Sequence, residues 1–347
     1  MEKQVVIVTG SCGRIGANVV RRLGQKYRIV GFELLKAIYA SDHEELVPVD
    51  ISSDESVQQA FTHIRATYGN KIASVVHLAA YYSFSEKHSD KYEQITVRGT
   101  ERLLKALQGF EVGQFLFTST MLVHAPGTPG CPITEESLVA PTWDYPLSKV
   151  HTEKFMHEVR GRIPTVSLRI AGVYDDRCHS IPISHQIQRI YEKQLESHFF
   201  SGDTSHGAAF VHMDDLIEAI ALAVEKRASL PPETTLLIGE PKTLSYETLQ
   251  CQISCLLHNK GIRTFRIPKP LAKIGAFLLC HIPFRPKPFI RPWMIDIADD
   301  HYELNIDKAK RLLGWTPKHS LEATLPKMID ELKKDPAGWY RFNQLSG

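Results

Sequence analysis

Tyr145 and Lys149 are four residues apart, a spacing that could place a titratable phenol beside an ammonium group. Residues four apart on a helix lie on the same face and can contact each other. Pro146 favours a helix that begins here, because a first helical position does not need a backbone N–H. A neighbouring positive charge favours the phenolate, so the pair predicts that Tyr145 acts as a general base or acid near neutral pH.

A glycine-rich segment near the N-terminus indicates where a cofactor would bind. Val5 to Val8 predicts a buried strand, Ala17 to Leu23 predicts a helix, and the segment between them reads Thr-Gly-Ser-Cys-Gly-Arg-Ile-Gly. In this context the glycines allow a tight turn, and the helix N-terminus attracts a pyrophosphate. A second strand ends at Glu33, whose carboxylate suits a ribose 2′-OH and repels a 2′-phosphate. This predicts NAD, while the basic Arg14 and Lys36 leave NADP as the alternative.

Further motifs follow in order along nearly the whole chain: His-Leu-Ala-Ala at 77–80, Tyr-x-x-x-Lys at 145–149 and Leu-Gly-Trp-Thr-Pro at 313–317. With the glycine turn, they resemble the extended short-chain dehydrogenase/reductase family, also called the NAD-dependent epimerase/dehydratase family. The family carries its catalytic hydroxyl in a Ser-Ser-x-x-x-Val-Tyr-Gly segment. Aligning Val123 with that valine makes the hydroxyl Thr120, 25 residues before Tyr145.

The resemblance and the glycine turn together define an expected NAD site. Asp50 would contact adenine after the third strand, and Lys149 would hold the nicotinamide ribose. The expected cofactor-binding residues are Gly10, Gly13, Arg14, Ile15, Gly16, Glu33, Asp50, Ile51, Leu78, Ala79, Ala80, Thr118, Tyr145, Lys149 and Ile170.

The composition of the chain narrows the classes of function. The 347 residues carry 41 basic and 39 acidic side chains, a net charge of +2 that gives no electrostatic case for nucleic acid. No apolar run reaches the ~18 residues of a membrane span, and no signal segment precedes the first strand. Six cysteines without a Cys-x-x-Cys pair predict neither a disulfide framework nor a metal site. We therefore expect a cytoplasmic protein with no bound metal.

The predicted strands and helices alternate, which favours a doubly wound parallel sheet of the Rossmann type. Residues at the carboxyl ends of parallel strands meet in one crevice, and Glu33, Asp50, Ala79, Thr120 and Ile170 all hold such positions. After residue 172 the alternation breaks down and proline-rich stretches appear. We predict an NAD-binding domain at 1–172, which 208–240 rejoins. Within that range, 208–228 is the segment expected to return to the main sheet. A smaller, irregular substrate-binding portion would comprise 173–207 and 241–347, and Asp214 or Asp215 would cap the helix in the returning segment.

The resemblance implies hydride transfer at a secondary alcohol or ketone carbon. Tyr145, as phenolate, would take the hydroxyl proton, Thr120 would orient the reacting oxygen, and Lys149 would lower the pKa of Tyr145. Dehydrogenation and nucleotide-sugar epimerisation with retained NAD both remain open, as does a non-catalytic NAD-binding regulator. A homodimer through the helices at 90–107 and 152–160 is a further expectation.

The substrate is expected to be a small molecule, but the sequence gives two opposing indications of its polarity. Ala208 and Gly172 stand where nucleotide-sugar members carry an arginine and an asparagine, and Leu271 to Phe284 is apolar. Basic residues near the crevice favour a polar or anionic substrate. The candidate substrate contacts are Ser83, Met121, His124, Arg177, His179 and Arg291.

Overall fold

A computed structural model describes residues 3–34, 44–83, 88–281 and 289–345. Its strands are β1 (Val5–Thr9), β2 (Arg28–Glu33), β3 (Glu44–Pro48), β4 (Lys71–Ile72), β5 (Ser74–His77), β6 (Glu111–Val112), β7 (Phe115–Thr120), β8 (Thr165–Ile170), β9 (Gly172–Tyr174), β10 (Phe199–Ser201), β11 (Phe210–His212), β12 (Glu233–Ile238) and β13 (Phe265–Ile267). Its helices are α1 (Arg14–Leu23), α2 (Asp54–Tyr68), α3 (Arg98–Leu107), α4 (Asp144–Val159), α5 (Ile181–Tyr191), α6 (Met213–Glu225), α7 (Tyr246–His258), α8 (Lys269–His281), α9 (Asp307–Leu313), α10 (Leu321–Lys334) and α11 (Pro336–Phe342). Lys36 lies outside the described residues.

Seven of these strands form one parallel sheet in the order β12-β8-β7-β5-β1-β2-β3. The order reverses direction between β1 and β5, and the glycine turn follows β1 at that point. Crevices at such a reversal are where doubly wound sheets bind their ligands. The predicted Rossmann-type fold is confirmed, and the turn lies at its expected position.

Alternate side chains of the central strands supply two separate hydrophobic cores, one on each face of the sheet. Val6 and Val8 of β1 pack in the cluster that includes α1 and α6. Val5 and Ile7 pack in the cluster that includes α2 and α3. Because successive strand residues point to opposite faces, a strand buried on both faces reads as a continuous apolar run.

A third hydrophobic cluster is formed by helices from the second half of the chain, chiefly α5, α7, α10 and α11. Short two-stranded pairings, β9 with β11 and β10 with β13, lie beside the main sheet rather than in it. The strand that rejoins the main sheet is β12, which pairs with β8. Residues 208–228 return to the main sheet through α6, which packs in the hydrophobic core on one face of it, whereas β11 pairs with β9 alone among the described strands. The division of the chain into two domains stays a prediction.

Local structure departs from the sequence prediction at three helix starts. The helix predicted from Asp90 begins with a π-helical stretch, Tyr92–Val97, before α3. Pro146 is the third residue of α4 rather than the first, which is still within the turn whose N–H groups have no helical acceptor. The cap of α6 is His212, whose Nδ1 accepts from the N–H of Asp214, whereas Asp214 and Asp215 lie in the first turn.

None of the helices that the structure describes has both the length and the apolar character needed to cross a membrane.

Candidate active site

The turn between β1 and α1 is built to hold a phosphate group against its backbone. Gly10 has a φ of +68°, and a Cβ there would lie 3.1 Å from the backbone nitrogen of Ala79. A Cβ on Gly16 would lie 2.0 Å from the carbonyl oxygen of Gly10, so no larger residue fits. Gly13 caps α1 without a side chain, and the first turn contains no acidic residue. The first N–H groups and the positive end of α1 therefore suit an anion such as the NAD pyrophosphate.

His77, at the end of β5, connects Thr9, just before the glycine turn, to the start of α3 through a chain of buried hydrogen bonds. Its Nε2 lies 2.9 Å from the Thr100 hydroxyl, which itself donates to the carbonyl of Thr96. The Thr100 hydroxyl must therefore accept from Nε2–H, and Nδ1 accepts from the Thr9 hydroxyl at 2.6 Å. Burial, followed by the charge of Lys149, lowers the pKa of His77 to about 3, so the ring is neutral.

The same Thr9 hydroxyl accepts from the backbone N–H groups of Leu78 and Ala79. This fixes the backbone that lies against Gly10, and Leu78, Ala79 and Ala80 are all half-buried there. The predicted His-Leu-Ala-Ala segment thus lies beside the glycine turn, as a cofactor-lining segment should.

Two acidic residues follow the ends of β2 and β3 on the adenosine side of the expected site. Glu33 is half-buried, and its Oε1 accepts from the N–H of Leu34. Asp50 accepts from the N–H and the hydroxyl of Ser52, both at Oδ1. Ile51 is buried and packs against Gly99, so its contribution is to the core of this edge rather than to a polar contact.

Thr120, Tyr145 and Lys149 come together where β7 ends and α4 begins. Thr120 is the last residue of β7, paired with Ile170 at the end of β8, and its hydroxyl lies near the Tyr145 side chain. Lys149 lies one turn along α4, and its Nζ donates to the carbonyl of Thr118 at 2.8 Å. The structure therefore brings the three predicted catalytic side chains into one cluster.

The predicted phenolate is not supported, because burial raises the pKa of Tyr145 to about 12 and the nearby Thr120 hydroxyl opposes that rise only in part. Lys149 does not offset this rise. The ammonium lies 5.9 Å from the centre of the Tyr145 ring, and burial lowers the pKa of Lys149 itself to about 7. A buried charge is costly without a close partner, so burial shifts both groups toward their neutral forms.

Three aromatic rings lie close to Tyr145 and a fourth packs against one of them, a feature that the sequence did not identify. Tyr82 and Trp143 lie 4.8 and 5.4 Å from it between ring centres, and Tyr92 lies 6.3 Å away. Trp293, from the C-terminal half of the chain, packs on Trp143 at 5.3 Å. Trp143 is only two residues from Tyr145, so its aromatic character was a usable signal, whereas Trp293 reaches the site only through the fold.

Two of the predicted substrate contacts lie near this cluster. The backbone N–H of Ser83 donates to the hydroxyl of Tyr92, which donates in turn to the Ser83 carbonyl. Met121 is buried directly after Thr120, in a short 3₁₀ turn over residues 121–123. Ser83 is therefore bonded to Tyr92, whose ring lies near Tyr145, and Met121 is adjacent to the catalytic candidate Thr120.

His124 was predicted to contact the substrate, and the structure contradicts this. It is fully buried, its Nδ1 donates to the carbonyl of Ser137, and its Nε2 accepts from the guanidinium of Arg169. Burial and the charge of Arg169 lower the pKa of His124, which keeps it neutral. With both nitrogens occupied by protein groups, the ring has no hydrogen bond left for a ligand.

Arg177 and His179 lie in the loop after β9, where they enclose the ring of Phe342. The Arg177 guanidinium lies 3.6 Å from the centre of that ring, and the imidazole of His179 stacks on it at 3.5 Å. The carbonyl of His179 accepts from Arg14 of the glycine turn. These two residues therefore border the phosphate-binding turn rather than Tyr145. Arg291 is elsewhere, half-buried, with its guanidinium near the sulfur of Cys280.

One group of possible metal ligands occurs among the described residues: His212, Asp214 and His319. The two imidazole rings stack at 4.1 Å with planes only 22° apart, so their nitrogen lone pairs run nearly parallel instead of converging on one ion. His212 Nδ1 caps α6, and His319 Nδ1 is bonded to Asp215. The group is best explained as a helix cap.

A parallel doubly wound sheet with a glycine turn at its reversal and a Thr-Tyr-Lys cluster at the strand ends defines a dinucleotide-dependent enzyme. Residues 6–239 match the NAD dependent epimerase/dehydratase family, which is more than half of the chain. The chain belongs to that family, it is an enzyme of the extended short-chain dehydrogenase/reductase type, and its cofactor is NAD.

Individual relatives include both steroid and sugar enzymes. The chain is 27% identical to human 3 beta-hydroxysteroid dehydrogenase type 7, over 94% of this chain and 95% of that protein. It is 23% identical to UDP-glucose 4-epimerase of Vibrio cholerae, over 91% of this chain and 92% of that protein. Its fold is similar to a crystal structure of Thermus thermophilus UDP-glucose 4-epimerase in complex with NAD. The TM-score is 0.70 at 20% identity, and the match covers 96% of this chain and 100% of the other.

Proposed function

We propose that the protein is an NAD-dependent dehydrogenase that interconverts a secondary alcohol and a ketone, with Tyr145 as the group that exchanges the proton. The convergence of Thr120, Tyr145 and Lys149 where β7 ends and α4 begins carries this proposal. Bound NAD supplies the nicotinamide carbon that accepts or returns the hydride. Thr120 and Tyr145 hold the substrate oxygen between two hydroxyl groups, which is the geometry that positions one proton for transfer.

The raised pKa of Tyr145 determines which form of its side chain is present before the reaction. At neutral pH the phenol is protonated and can donate directly to a ketone oxygen during reduction. In the oxidative direction Tyr145 must first lose its proton, so alcohol oxidation should speed up as the pH rises above neutrality. Lys149, held on the carbonyl of Thr118, would position the nicotinamide ribose rather than lower the pKa of Tyr145.

The surroundings of Tyr145 favour a flat, apolar ring alcohol as the substrate. Tyr82 and Trp293, which pack on Tyr145 and Trp143, keep partly exposed aromatic rings, and these bind apolar rings more readily than a charged sugar. Ala208, where nucleotide-sugar members carry an arginine, offers no positive charge to a diphosphate. The similarity to a human 3 beta-hydroxysteroid dehydrogenase agrees with this choice.

A nucleotide-sugar epimerase is the second candidate, favoured by one residue. Arg291 lies two residues before Trp293, and no carboxylate lies within 4 Å of its guanidinium among the residues described. A guanidinium with no acidic partner could bind a phosphate. An epimerase would interconvert two sugars without net release of NADH, which separates it from a dehydrogenase.

The test is oxidation of a panel of ring alcohols, including a 3β-hydroxysteroid and UDP-glucose, followed by NADH absorbance. We expect NADH with the steroid, a rate that rises with pH, and a loss of about 10²- to 10⁴-fold in Tyr145→Phe. Calorimetric titration should show that Tyr145→Phe still binds NAD. Tyr68→Phe, which removes a hydroxyl bonded to Glu45 at the surface, is the matched control and should keep wild-type turnover.

Three results would refute the proposal. Sugar interconversion without NADH would make the protein an epimerase. NAD binding without turnover of any substrate would make it a binding protein. Near-normal oxidation by Tyr145→Phe would remove Tyr145 from the chemistry.

The location, the assembly and the domain division are also proposals. Cys131, Cys251 and Cys255 are exposed free thiols, which suits the reducing cytoplasm. A homodimer could use the packed pair α3 and α4, and sedimentation velocity would detect it. The proposed NAD-binding domain, 1–172 with 208–240, contains all seven strands of the main sheet, which supports the boundary.

A further inference from the structure

Helix α8 has its large apolar side chains on the outside. Leu271, Ile274, Phe277 and Leu278 are 61%, 58%, 54% and 60% exposed, although each is apolar. These positions recur every three or four residues, so they form one outward face of the helix. We call this set the α8 apolar face.

The opposite side of α8 is the one that packs against the protein, and it does so with small residues. Ala272 and Ala276 are buried there, in a small cluster with Ile267, Ile290 and Ile295. Lys269 and Lys273 lie at the edges of this side and pair with Asp299 and Asp296. An amphipathic helix on a protein surface normally buries its large apolar residues, so α8 has the reverse arrangement.

The sequence around α8 carries positive charge without negative charge. From residue 248 to residue 295 there are eight lysines and arginines and no aspartate or glutamate, so the rest of the chain has thirty-three basic and thirty-nine acidic residues. Lys269, Lys273 and Arg266 have acidic partners from neighbouring segments. Lys260 and Arg263 are exposed, and no ion pair forms at either within the described parts of the chain.

Strand β13, which leads directly into α8, carries a further exposed aromatic side chain beside a cation. Phe265 is 44% exposed, and the guanidinium of Arg263 lies over its ring. Exposed aromatic and aliphatic side chains next to unpaired cations are the combination that binds the boundary between lipid headgroups and acyl chains. A second copy of this chain would supply no complementary acidic surface at a two-fold contact, because this segment would face its own positive charge.

We propose that the α8 apolar face docks the protein on an anionic lipid bilayer, with α8 lying in the plane of the surface and Lys260 and Arg263 at the headgroups. The protein would attach to the membrane and not cross it, since α8 is only thirteen residues long. The proposal does not depend on the chemistry assigned to Tyr145.

The docking is continuous with the candidate active site. α8 packs on the 3₁₀ turn Pro292–Ile295, and Trp293 of that turn contacts Trp143 beside Tyr145. A membrane-attached enzyme would thus have the aromatic cluster around Tyr145 connected to the helix that approaches the bilayer, which suits an apolar substrate taken from the lipid; this last step rests on the proposed function.

The test is co-sedimentation of the full chain with vesicles of phosphatidylcholine, alone or with about one-third phosphatidylserine. We expect binding that increases with phosphatidylserine and decreases in about 0.5 M salt. Leu278→Ser should lower the membrane partition coefficient about tenfold, because it removes one leucine side chain that would be buried in the bilayer. Leu138→Ser, at a side chain 72% exposed on another part of the surface, should bind like the wild type. Arg263→Gln should reduce only the increase in vesicle binding that phosphatidylserine produces, and leave binding to phosphatidylcholine alone unchanged.

Circular dichroism should show both leucine variants folded, because neither side chain is buried. The proposal fails if the wild type stays in the supernatant with both kinds of vesicle, or if Leu278→Ser and Leu138→Ser bind equally. It also fails if sedimentation velocity without lipid shows a dimer that Leu278→Ser dissociates, since the face would then belong to a second copy. None of these outcomes involves turnover, so they are independent of the Tyr145→Phe result.

Discussion

Arg14, the first residue of α1, donates from Nη1 to the carbonyl oxygen of His179 at 2.6 Å and so joins the phosphate-binding turn to the loop after β9. That loop is held in an unusual conformation, because Cys178 and His179 have φ values of +86° and +50°. Asn343, beyond α11, accepts from the N–H of His179 and donates to the carbonyl of Arg177. The C-terminal end of the chain therefore supports the position of Arg14.

Asn343→Ala should weaken NAD binding although Asn343 is remote from the glycine turn in sequence. Without its amide the loop loses two hydrogen bonds that offset left-handed backbone at two residues, and Arg14 loses a fixed acceptor. Each hydrogen bond is worth about 1 kcal/mol, so we expect the Kd for NAD to rise about 5- to 30-fold in calorimetry.

Asn305→Ala is the control for Asn343→Ala, because Asn305 also accepts a backbone N–H but at α9, away from the turn. Its Kd for NAD should equal that of the wild type. Asn343→Asp keeps the acceptor for the N–H of His179, so its Kd for NAD should lie between those of Asn343→Ala and the wild type. An unchanged Kd in Asn343→Ala would show that the loop holds Arg14 without help from the C-terminal end of the chain.

The sequence was sufficient for features that depend on a few neighbouring residues. The run Val5–Val8 requires a strand buried on both faces, and the glycines that follow it tolerate backbone contacts that no Cβ allows, as at Gly16. Tyr145 and Lys149 share α4 with the predicted spacing. Local pattern determines these features, so the fold class and the glycine turn followed directly.

Features that depend on burial or on distant segments could not be predicted in this way. The pKa of Tyr145 depends on how deeply the ring is enclosed, and that enclosure includes Tyr82 and Tyr92 from an earlier segment of the chain. His124 follows the catalytic strand and looked available for a substrate, yet Arg169 and Ser137 occupy both of its nitrogens. Spacing shows which residues are near a site, whereas only packing shows which of their atoms remain accessible.

Glu33→Gln should let the protein bind NADP more tightly. The carboxylate at the end of β2 would repel a 2′-phosphate, and glutamine removes the charge while keeping the length of the side chain. We expect the ratio of Kd values for NADP and NAD to fall about tenfold, measured by calorimetry at one ionic strength. Glu55→Gln, which removes a carboxylate from the first turn of α2, should leave that ratio unchanged. An unchanged ratio in Glu33→Gln would assign cofactor choice to another residue.

Trp293→Ala should affect substrate binding more than the chemical step. Its ring packs on Trp143 at the edge of the cluster around Tyr145, so its removal opens the apolar wall without touching the Thr120–Tyr145 pair. We expect KM for an apolar ring alcohol to rise about 10- to 100-fold with a smaller change in kcat. Trp293→Phe keeps an aromatic ring and should recover most of the affinity. A fall in kcat with KM unchanged would instead place Trp293 in the support of Tyr145.

The low pKa of Lys149 predicts how the stability of the protein changes with pH. Burial lowers that pKa from 10.5 in the unfolded chain to about 7 in the folded protein. Between these two values the unfolded chain binds more protons than the folded one, so the free energy of unfolding rises with pH. Below about pH 7 both states are protonated and the cost of the buried ammonium is present in full.

Lys149→Met should therefore be most stable, relative to the wild type, at or below neutral pH. The advantage should shrink as the pH rises from about 7 toward 10.5, by up to about 1.4 kcal/mol for each pH unit. Urea denaturation of both proteins across this range measures the difference. Lys154→Met, at an exposed position on the same helix, should show a pH-independent difference from the wild type. A pH-independent difference for Lys149→Met as well would mean that Lys149 stays charged in the folded protein, with its bond to Thr118 compensating for burial.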